Sequence, residues 1–119
     1  MSKSRIIYRG EVYYADLSPS FGSEQGGLRP VVIIQNNMGN KHAPTTIVVP
    51  ITSSTGKHKI PTHYVLPAGA GGLSDPDSMV LCEQIRTIDK SRLKGRIGTL
   101  TSDIMREIDI KIIISVGLV

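Results

Sequence analysis

Residues 22–34 read GSEQGGLRPVVII. A loose, glycine-rich segment runs into Arg29 and Pro30, and four branched apolar residues follow. A continuous apolar run of this length, bounded by turn residues, reads as a buried strand beginning at Pro30. Proline at a first strand position costs no ladder bond on an edge and fixes the chain direction. Arg29 stands at the junction, its stem against the core and its guanidinium at the surface. Its five donors match phosphate oxygens. The plainer reading is a snorkelling arginine paired to a nearby carboxylate such as Glu24.

Working outward, short runs rich in strand formers recur with turn residues between them. GEVYYADL (10–17) ends at Ser18-Pro19, and PVVIIQN (30–36) breaks over Asn36–Asn40. TTIVVPIT (45–52) carries Pro50, which predicts an edge or a bulge because proline has no donor for a ladder. PTHYVLP (61–67), SMVLCEQI (78–85) and GRIGTL (95–100) complete the set, with AGAGG (68–72) as a flexible turn. Many short, regularly punctuated strands predict a mainly β chain folded as a small, curved antiparallel barrel with short helices. One helical turn is expected over DKSRL, capped by Asp89 and ended by Gly95. A C-terminal helix is expected from a Thr101 or Ser102 cap, Asp103 in the first turn, and Ile104, Met105, Ile108, Ile112 and Val116 at helical spacing, with Gly117 as its stop. Ile110, Ile113 and Ile114 make it apolar on more than one face, fit for a second subunit or a buried end. The β-branched run IKIIISVGL also supports a strand reading.

The chain has 119 residues, which predicts a single domain over 1–119. Aromatics are limited to Tyr8, Tyr13, Tyr14, Phe21 and Tyr64, so branched aliphatics carry the core. No apolar run approaches the roughly 18 residues of a membrane span, and MSKSRIIYRG has no hydrophobic stretch of a signal peptide. A cytoplasmic protein without membrane contact is expected. The lone Cys82 sits in an apolar run and reads as core. One thiol allows no intrachain disulfide and no cysteine-based zinc site, and no other metal-ligand spacing occurs. No cofactor and no metal are expected.

The net charge is +4. Between Gln84 and Arg96 stand five cations, Arg86, Lys90, Arg92, Lys94 and Arg96, against Asp89 alone. A second cluster holds Lys57, His58, Lys59 and His63. Either can be solvated surface; together they point to a polyanionic partner. The strand TTIVVPIT runs into Thr52-Ser53-Ser54-Thr55-Gly56, a series of hydroxyls beside two lysines. Hydroxyl and guanidinium donors placed together suit an oxyanion or phosphate, although such a run is also an ordinary polar turn.

GEVYYADLSP, GSEQGGLRPVVIIQN, Pro50-Ile51-Thr52 with its serines, PTHYVL and LCEQIRTIDKSRL together resemble the MazF/PemK toxins, in particular the Gram-positive MazF endoribonucleases. The resemblance runs in order from about Arg9 to Leu118. It implies an SH3-like barrel with a C-terminal helix, a homodimer, and a MazE-like antitoxin that occupies the RNA groove. It implies metal-independent, sequence-specific cleavage of single-stranded mRNA, with a U-A-C-A-U type of site. Such cleavage uses attack by the 2′-hydroxyl and leaves a 2′,3′-cyclic phosphate and a 5′-hydroxyl. Carried over by position, Arg29 is the main catalytic residue, Thr52 a hydroxyl donor to the same phosphate, and Ser53 an assistant. Arginine, with a side-chain pKa above about 12, is a poor base. Glu24 is the alternative base, and His63 a third that is more often structural or an RNA contact. The RNA-binding set is Phe21, Ser23, Gln25, Lys57, His63, Gln84 and Arg86. Phe21 can stack on a base or fold onto the core. Gln84 can read a base edge or orient a partner, with Glu83 facing away. Arg86, on the face of Gln84, can meet phosphate or pair with Asp89. His42 and His58 read as surface loop residues. Gyrase-poisoning toxins of the same barrel family, which cut nothing, are the alternative. An SH3-like adaptor, which needs an aromatic-lined groove, fits this aromatic-poor chain badly.

Overall fold

The computed structural model describes residues 6–53 and 60–119. Its elements in chain order are β1 (Glu11–Asp16), β2 (Leu28–Ile33), α1 (Asn37–His42), β3 (Thr45–Ser53), β4 (His63–Val65), β5 (Ser78–Leu81), β6 (Arg86–Asp89), β7 (Leu93–Thr99) and α2 (Ser102–Ser115). Two 3-10 turns, Ala70–Gly72 and Lys90–Arg92, lie between strands. All strand pairs are antiparallel, in the order β4-β5-β3-β2-β1-β7, with β6 also on β3.

Strand alternation sends side chains to two cores. Tyr13, Ala15, Leu17, Val31, Ile33, Val48, Ile88 and Leu93 are enclosed by β7, β1, β2, β3 and β6. These five strands form the curved, barrel-like unit, left open between β6 and β7 where the Lys90–Arg92 turn joins them. The opposite faces supply Val12, Val32, Val49, Ile51 and Val80, which pack with Leu66, Leu73, Cys82 and Leu100 under Met105 and Ile108 of α2. Both faces of β3 are therefore dry, which is why its sequence is almost continuously apolar.

The helix reading holds for the C-terminus. The Thr101 hydroxyl accepts the Ile104 N–H at 3.3 Å. Gly117, at φ 77°, closes α2 by donating to the Ile114 carbonyl while Leu118 donates to Ile113, the paired bonds that finish a helix on a left-handed glycine. Ile110, Ile113 and Ile114 remain exposed on its outer side.

Several expectations are corrected. β2 begins at Leu28, so Arg29 lies inside the strand and not ahead of it. The Asn36–Asn40 break is the start of α1, because the Asn36 side chain accepts the Gly39 N–H at 2.8 Å and caps a helix. The strand expected over 61–67 is reduced to β4. The strand expected over 78–85 stops at Leu81, turns at Cys82–Glu83 and resumes as β6. Gly95 lies within β7, and the Lys90–Arg92 turn ends on Leu93. AGAGG is no free hinge. Gly71 is buried, and a Cβ on Gly72 would stand 2.6 Å from the Ile97 carbonyl oxygen, at a φ of +79°. Pro50 is buried in a strand paired on both sides, at the place where β3 changes partner from β6 to β5.

Ile108 is fully buried between α2 and the sheet. Truncating it should leave a cavity that the sheet cannot collapse to fill. Ile108→Ala is expected to lower the unfolding free energy by about 2–5 kcal/mol, measured by urea denaturation with an unchanged m-value.

Candidate functional site

β1 and β2 are joined by a loop whose base closes where Leu17 donates to the Gly27 carbonyl at 2.9 Å. Within it, the Glu24 N–H donates to the Phe21 carbonyl at 3.0 Å, and the Glu24 carboxylate accepts the Phe21 N–H at 2.9 Å. Glu24 is thus tied to its own loop, and the Phe21 ring is left 79% exposed at the tip. That excludes folding back onto the core.

Across from the loop, the Cys82–Ile85 excursion makes a second wall. Between them lies a cleft of about 570 Å³. Leu17, Ser23, Glu24 and Gln25 line it from the loop side, Val48 and Pro50 form its floor, and Glu83, Gln84, Ile85 and Arg86 face them. Gln84, outside any strand, spends its amide on the loop: its oxygen accepts the Gln25 N–H at 2.8 Å and its nitrogen donates to the Ser23 carbonyl at 3.4 Å. Both polar ends of its amide are engaged with the loop in this structure.

Arg29 is half-buried, and its Nε donates to the Gly26 carbonyl at 2.8 Å. Among the described residues no carboxylate pairs with it and its terminal nitrogens have no protein acceptor. The pairing with Glu24 weighed from sequence is absent. The β2–β3 ladder runs Ile33↔Val48, Val32↔Val49, Val31↔Pro50. Continued by two residues, it sets Arg29 opposite Thr52, on the sheet face that carries Val48 and Pro50. Thr52 is half-buried and Ser53 exposed at the end of β3. Ser54, Thr55, Gly56, Lys57, His58 and Lys59 lie outside the described residues.

His63 is engaged elsewhere. Its Nδ1 accepts the Ile60 N–H at 3.4 Å, which leaves Nε2 to donate to Glu83 at 3.0 Å. The Thr62 hydroxyl donates to the other Glu83 oxygen at 3.0 Å, and the Cys82 N–H to the Thr62 carbonyl. These bonds pin the 82–85 wall to β4. His63 sits at 8% side-chain exposure within them. Cys82 is buried, and burial pushes its thiol up to about 12, as an inert core residue requires. His42, expected in a surface loop, is exposed but lies in the last turn of α1.

The 84–96 cations are mostly committed within the fold. Arg86 donates to the Leu17 carbonyl at 2.7 Å and forms no pair with Asp89, which caps the Lys90–Arg92 turn. Arg92 donates to the carbonyls of Asp16 and Ser18, Lys90 to that of Asn40, and Arg96 faces the buried Glu11. Lys94 alone of the five makes no hydrogen bond or close ion pair among the described residues, and its charge acts on Asp16 from a distance. Neutral carbonyls leave the charges of Arg86, Arg92 and Lys90 intact, so the segment remains a positive field. Sequence reasoning missed these anchors because carbonyl partners leave no trace in composition.

A family model described as "PemK-like, MazF-like toxin of type II toxin-antitoxin system" matches residues 8–116. The chain belongs to this toxin family. It is 56% identical over 113 residues to a protein named Endoribonuclease MazF from Staphylococcus saprophyticus, covering 95% of this chain and 93% of that one. Among solved structures it is similar to a mycobacterial endoribonuclease in complex with its cognate antitoxin, at 26% identity and a TM-score of 0.79, over 95% of this chain and 97% of that one. It shares its fold with MazF from Deinococcus radiodurans at 24% identity and a TM-score of 0.80, over 95% and 98% of the two chains. The SH3-like barrel with a C-terminal helix expected from the sequence is thus the fold of the MazF-like toxins. Among the described residues, no helix is long and apolar enough to cross a membrane, and no three His, Cys, Asp or Glu gather in a metal-binding group.

Asp89 offers a pH test of the 84–92 wall. Hydrogen bonds from Ser91, from its hydroxyl first and then its N–H, hold the Asp89 carboxyl below its ordinary 3.8. The folded form therefore binds this proton less tightly than the unfolded chain. The cap contributes fully above 3.8 and is lost as the pH falls through the lower folded value. The unfolding-temperature gap between wild type and Asp89→Ala should be widest at neutral pH and close below 3.8, followed by circular dichroism.

Proposed function

We propose that this chain is the endoribonuclease toxin of a type II toxin–antitoxin system and that it cuts single-stranded mRNA without a metal ion. The observation that carries the reading is Arg29. It is a strand-borne guanidinium fixed through Nε, with its terminal nitrogens unclaimed by described residues; the continued β2–β3 register sets it opposite Thr52, beyond the Val48 and Pro50 floor of the cleft, which neither residue itself lines. Family membership and a 56% identical relative named as an endoribonuclease support it.

In RNA the nucleophile lies beside its own phosphate. The 2′-oxygen bonds to phosphorus, the bond to the 5′-oxygen breaks, that oxygen takes a proton from solvent water, and the products are a 2′,3′-cyclic phosphate and a 5′-hydroxyl. The terminal nitrogens of Arg29 neutralise the nonbridging oxygens as negative charge builds on them. Thr52 adds a hydroxyl hydrogen bond and Ser53 a second. The proton of the 2′-hydroxyl goes to a base, for which the Glu24 carboxylate is the best placed, on the wall of the cleft with one oxygen still outside the Phe21 hydrogen bond. Both ring nitrogens of His63 are engaged, which argues against it. Phe21 provides a stacking face, and Ser23, Gln25, Gln84 and Arg86 border the bases, with Lys57 a further contact carried from the resemblance.

The same reading takes 1–119 as one domain acting in the cytoplasm as a homodimer. A MazE-like antitoxin then covers the RNA groove, and a U-A-C-A-U type of sequence is the cleavage site. The exposed Ile110, Ile113 and Ile114 of α2 are consistent with a second subunit there.

Purified protein is incubated with a long unstructured RNA in excess EDTA, beside Arg29→Ala, and the products are sequenced and their ends typed. Discrete cuts at one short sequence, cyclic phosphate ends, and a rate at least about 100-fold lower in Arg29→Ala are expected. Intact RNA with the wild type would overturn the enzyme reading and favour a non-catalytic toxin directed at a protein such as gyrase.

A further inference from the structure

We infer that Arg92 is a positioning residue for the ribonuclease centre, setting the Ser18–Gly27 loop from outside the cleft. The inference rests on the endoribonuclease reading. β1 ends at Asp16, and its last pair with β7 is Ala15↔Leu93. Beyond that point the carbonyls of Asp16 and Leu17 are partly buried and need a donor, and that of the exposed Ser18 follows them. Two guanidiniums take all three. Arg92 Nη1 donates to Asp16 at 2.9 Å and to Ser18 at 2.5 Å, and Arg86 Nη1 donates to Leu17 between them at 2.7 Å. The Asp16 carboxylate accepts the Ser18 N–H at 3.0 Å and tightens the same turn.

Arg92 is itself held in place. It ends the 3-10 turn that Asp89 caps through the Ser91 N–H at 2.8 Å, and buried Leu93 follows it. Among the described residues no carboxylate lies within ion-pair distance of it, although its charge adds to the hydrogen bonds from Ser18 and Ser91 that lower the Asp16 and Asp89 carboxyls. Unlike Arg86, it does not line the cleft, so its effect on a bound RNA passes through the loop. That loop carries Phe21 and Glu24, and its far end leads into Arg29. Gln84 holds the loop at Ser23 and Gln25, and Arg92 holds it at the root. In-line attack is sensitive to placement: a misplacement of about 1 Å can cost on the order of 100-fold in rate.

The test compares wild type, Arg92→Gln and Arg92→Lys as full chains. Four quantities are measured. The first is the single-turnover rate at saturating RNA, and the second is the Kd for the same RNA made uncleavable by a 2′-O-methyl group at the cut site. The third is the salt dependence of that Kd, and the fourth is amide hydrogen exchange over residues 18–27. Arg92→Gln should cleave at least about 10-fold more slowly, bind within about threefold of wild type, keep the wild-type salt slope, and exchange faster in the loop but not in α2. Arg92→Lys should not restore the rate: both bonds leave one atom, Nη1, and the shorter stem and strongly hydrated head of lysine do not bring an ammonium to that point. An unchanged rate in Arg92→Gln overturns the inference. So does a loss explained by weaker binding with a shallower salt slope and restored by lysine, which is the signature of a phosphate contact. If Arg92→Gln does not fold, a wild-type rate in Arg92→Lys overturns it. A wild type that cuts no RNA sinks the endoribonuclease reading instead, and unchanged loop exchange in the variants then removes the anchor as well.

Discussion

The structure turns on one strand that must serve three partners. β3 gives one edge wholly to β2 and divides the other, with Thr45–Val48 on β6 and Ile51–Ser53 on β5. Between the pairs Ile51↔Val80 and Val48↔Arg86, β3 advances three residues while its partner chain advances six. The surplus leaves the sheet as the Cys82–Ile85 excursion. Pro50 is the reason that this is tolerated. Ile34 donates to the Ile47 carbonyl, so odd-numbered β3 residues bond toward β2 and even-numbered ones toward the divided edge. Pro50 is even-numbered and has no N–H to lose there. The partner chain departs where the ladder has nothing to offer, and the gap becomes the cleft floored by Val48 and Pro50 and walled by Glu83, Gln84, Ile85 and Arg86.

The same excursion explains how a mildly basic chain uses its charge. Once 82–85 leaves the sheet, the residues after it lie against the root of the β1–β2 loop, whose carbonyls need donors. Arginine can bind a carbonyl and remain charged, which a neutral donor cannot do. The 84–92 segment therefore serves the fold and the electrostatic field together. A count of cations, which sees only the field, overstates how many are free to meet an anion directly.

What could be read from residues alone follows from this division. The strands, the capped C-terminal helix, the Asp89-capped turn and the buried Cys82 each have a local cause in periodicity or capping. The Arg29–Thr52 register was within reach because two apolar runs joined as neighbouring antiparallel strands have few registers that keep both faces dry. α1 was missed because Asn-Asn-Met-Gly-Asn spells a turn by composition, and one Asn36 side chain bonded to Gly39 reverses that. The 78–85 strand was overextended because the break after Leu81 is dictated by Pro50 on another strand. Long-range hydrogen bonds such as Gln25 to Gln84 or Arg92 to Ser18 leave no periodic mark.

The site therefore joins parts of unequal stiffness. Arg29 and Thr52 stand on paired or strand-end backbone over a dry core, and their spacing follows from sheet geometry. Phe21 and Glu24 stand on a loop closed by a single backbone bond at Leu17–Gly27. A catalytic base must reach its proton within hydrogen-bond distance, and a strand cannot transmit that precision through such a closure. Side chains from 84–92 supply it from outside. On the endoribonuclease reading the cleft must stay open to RNA, and packing the loop onto the core would fill it. Anchoring the loop at its root and at Ser23–Gln25 leaves the tip exposed and the space beneath it open.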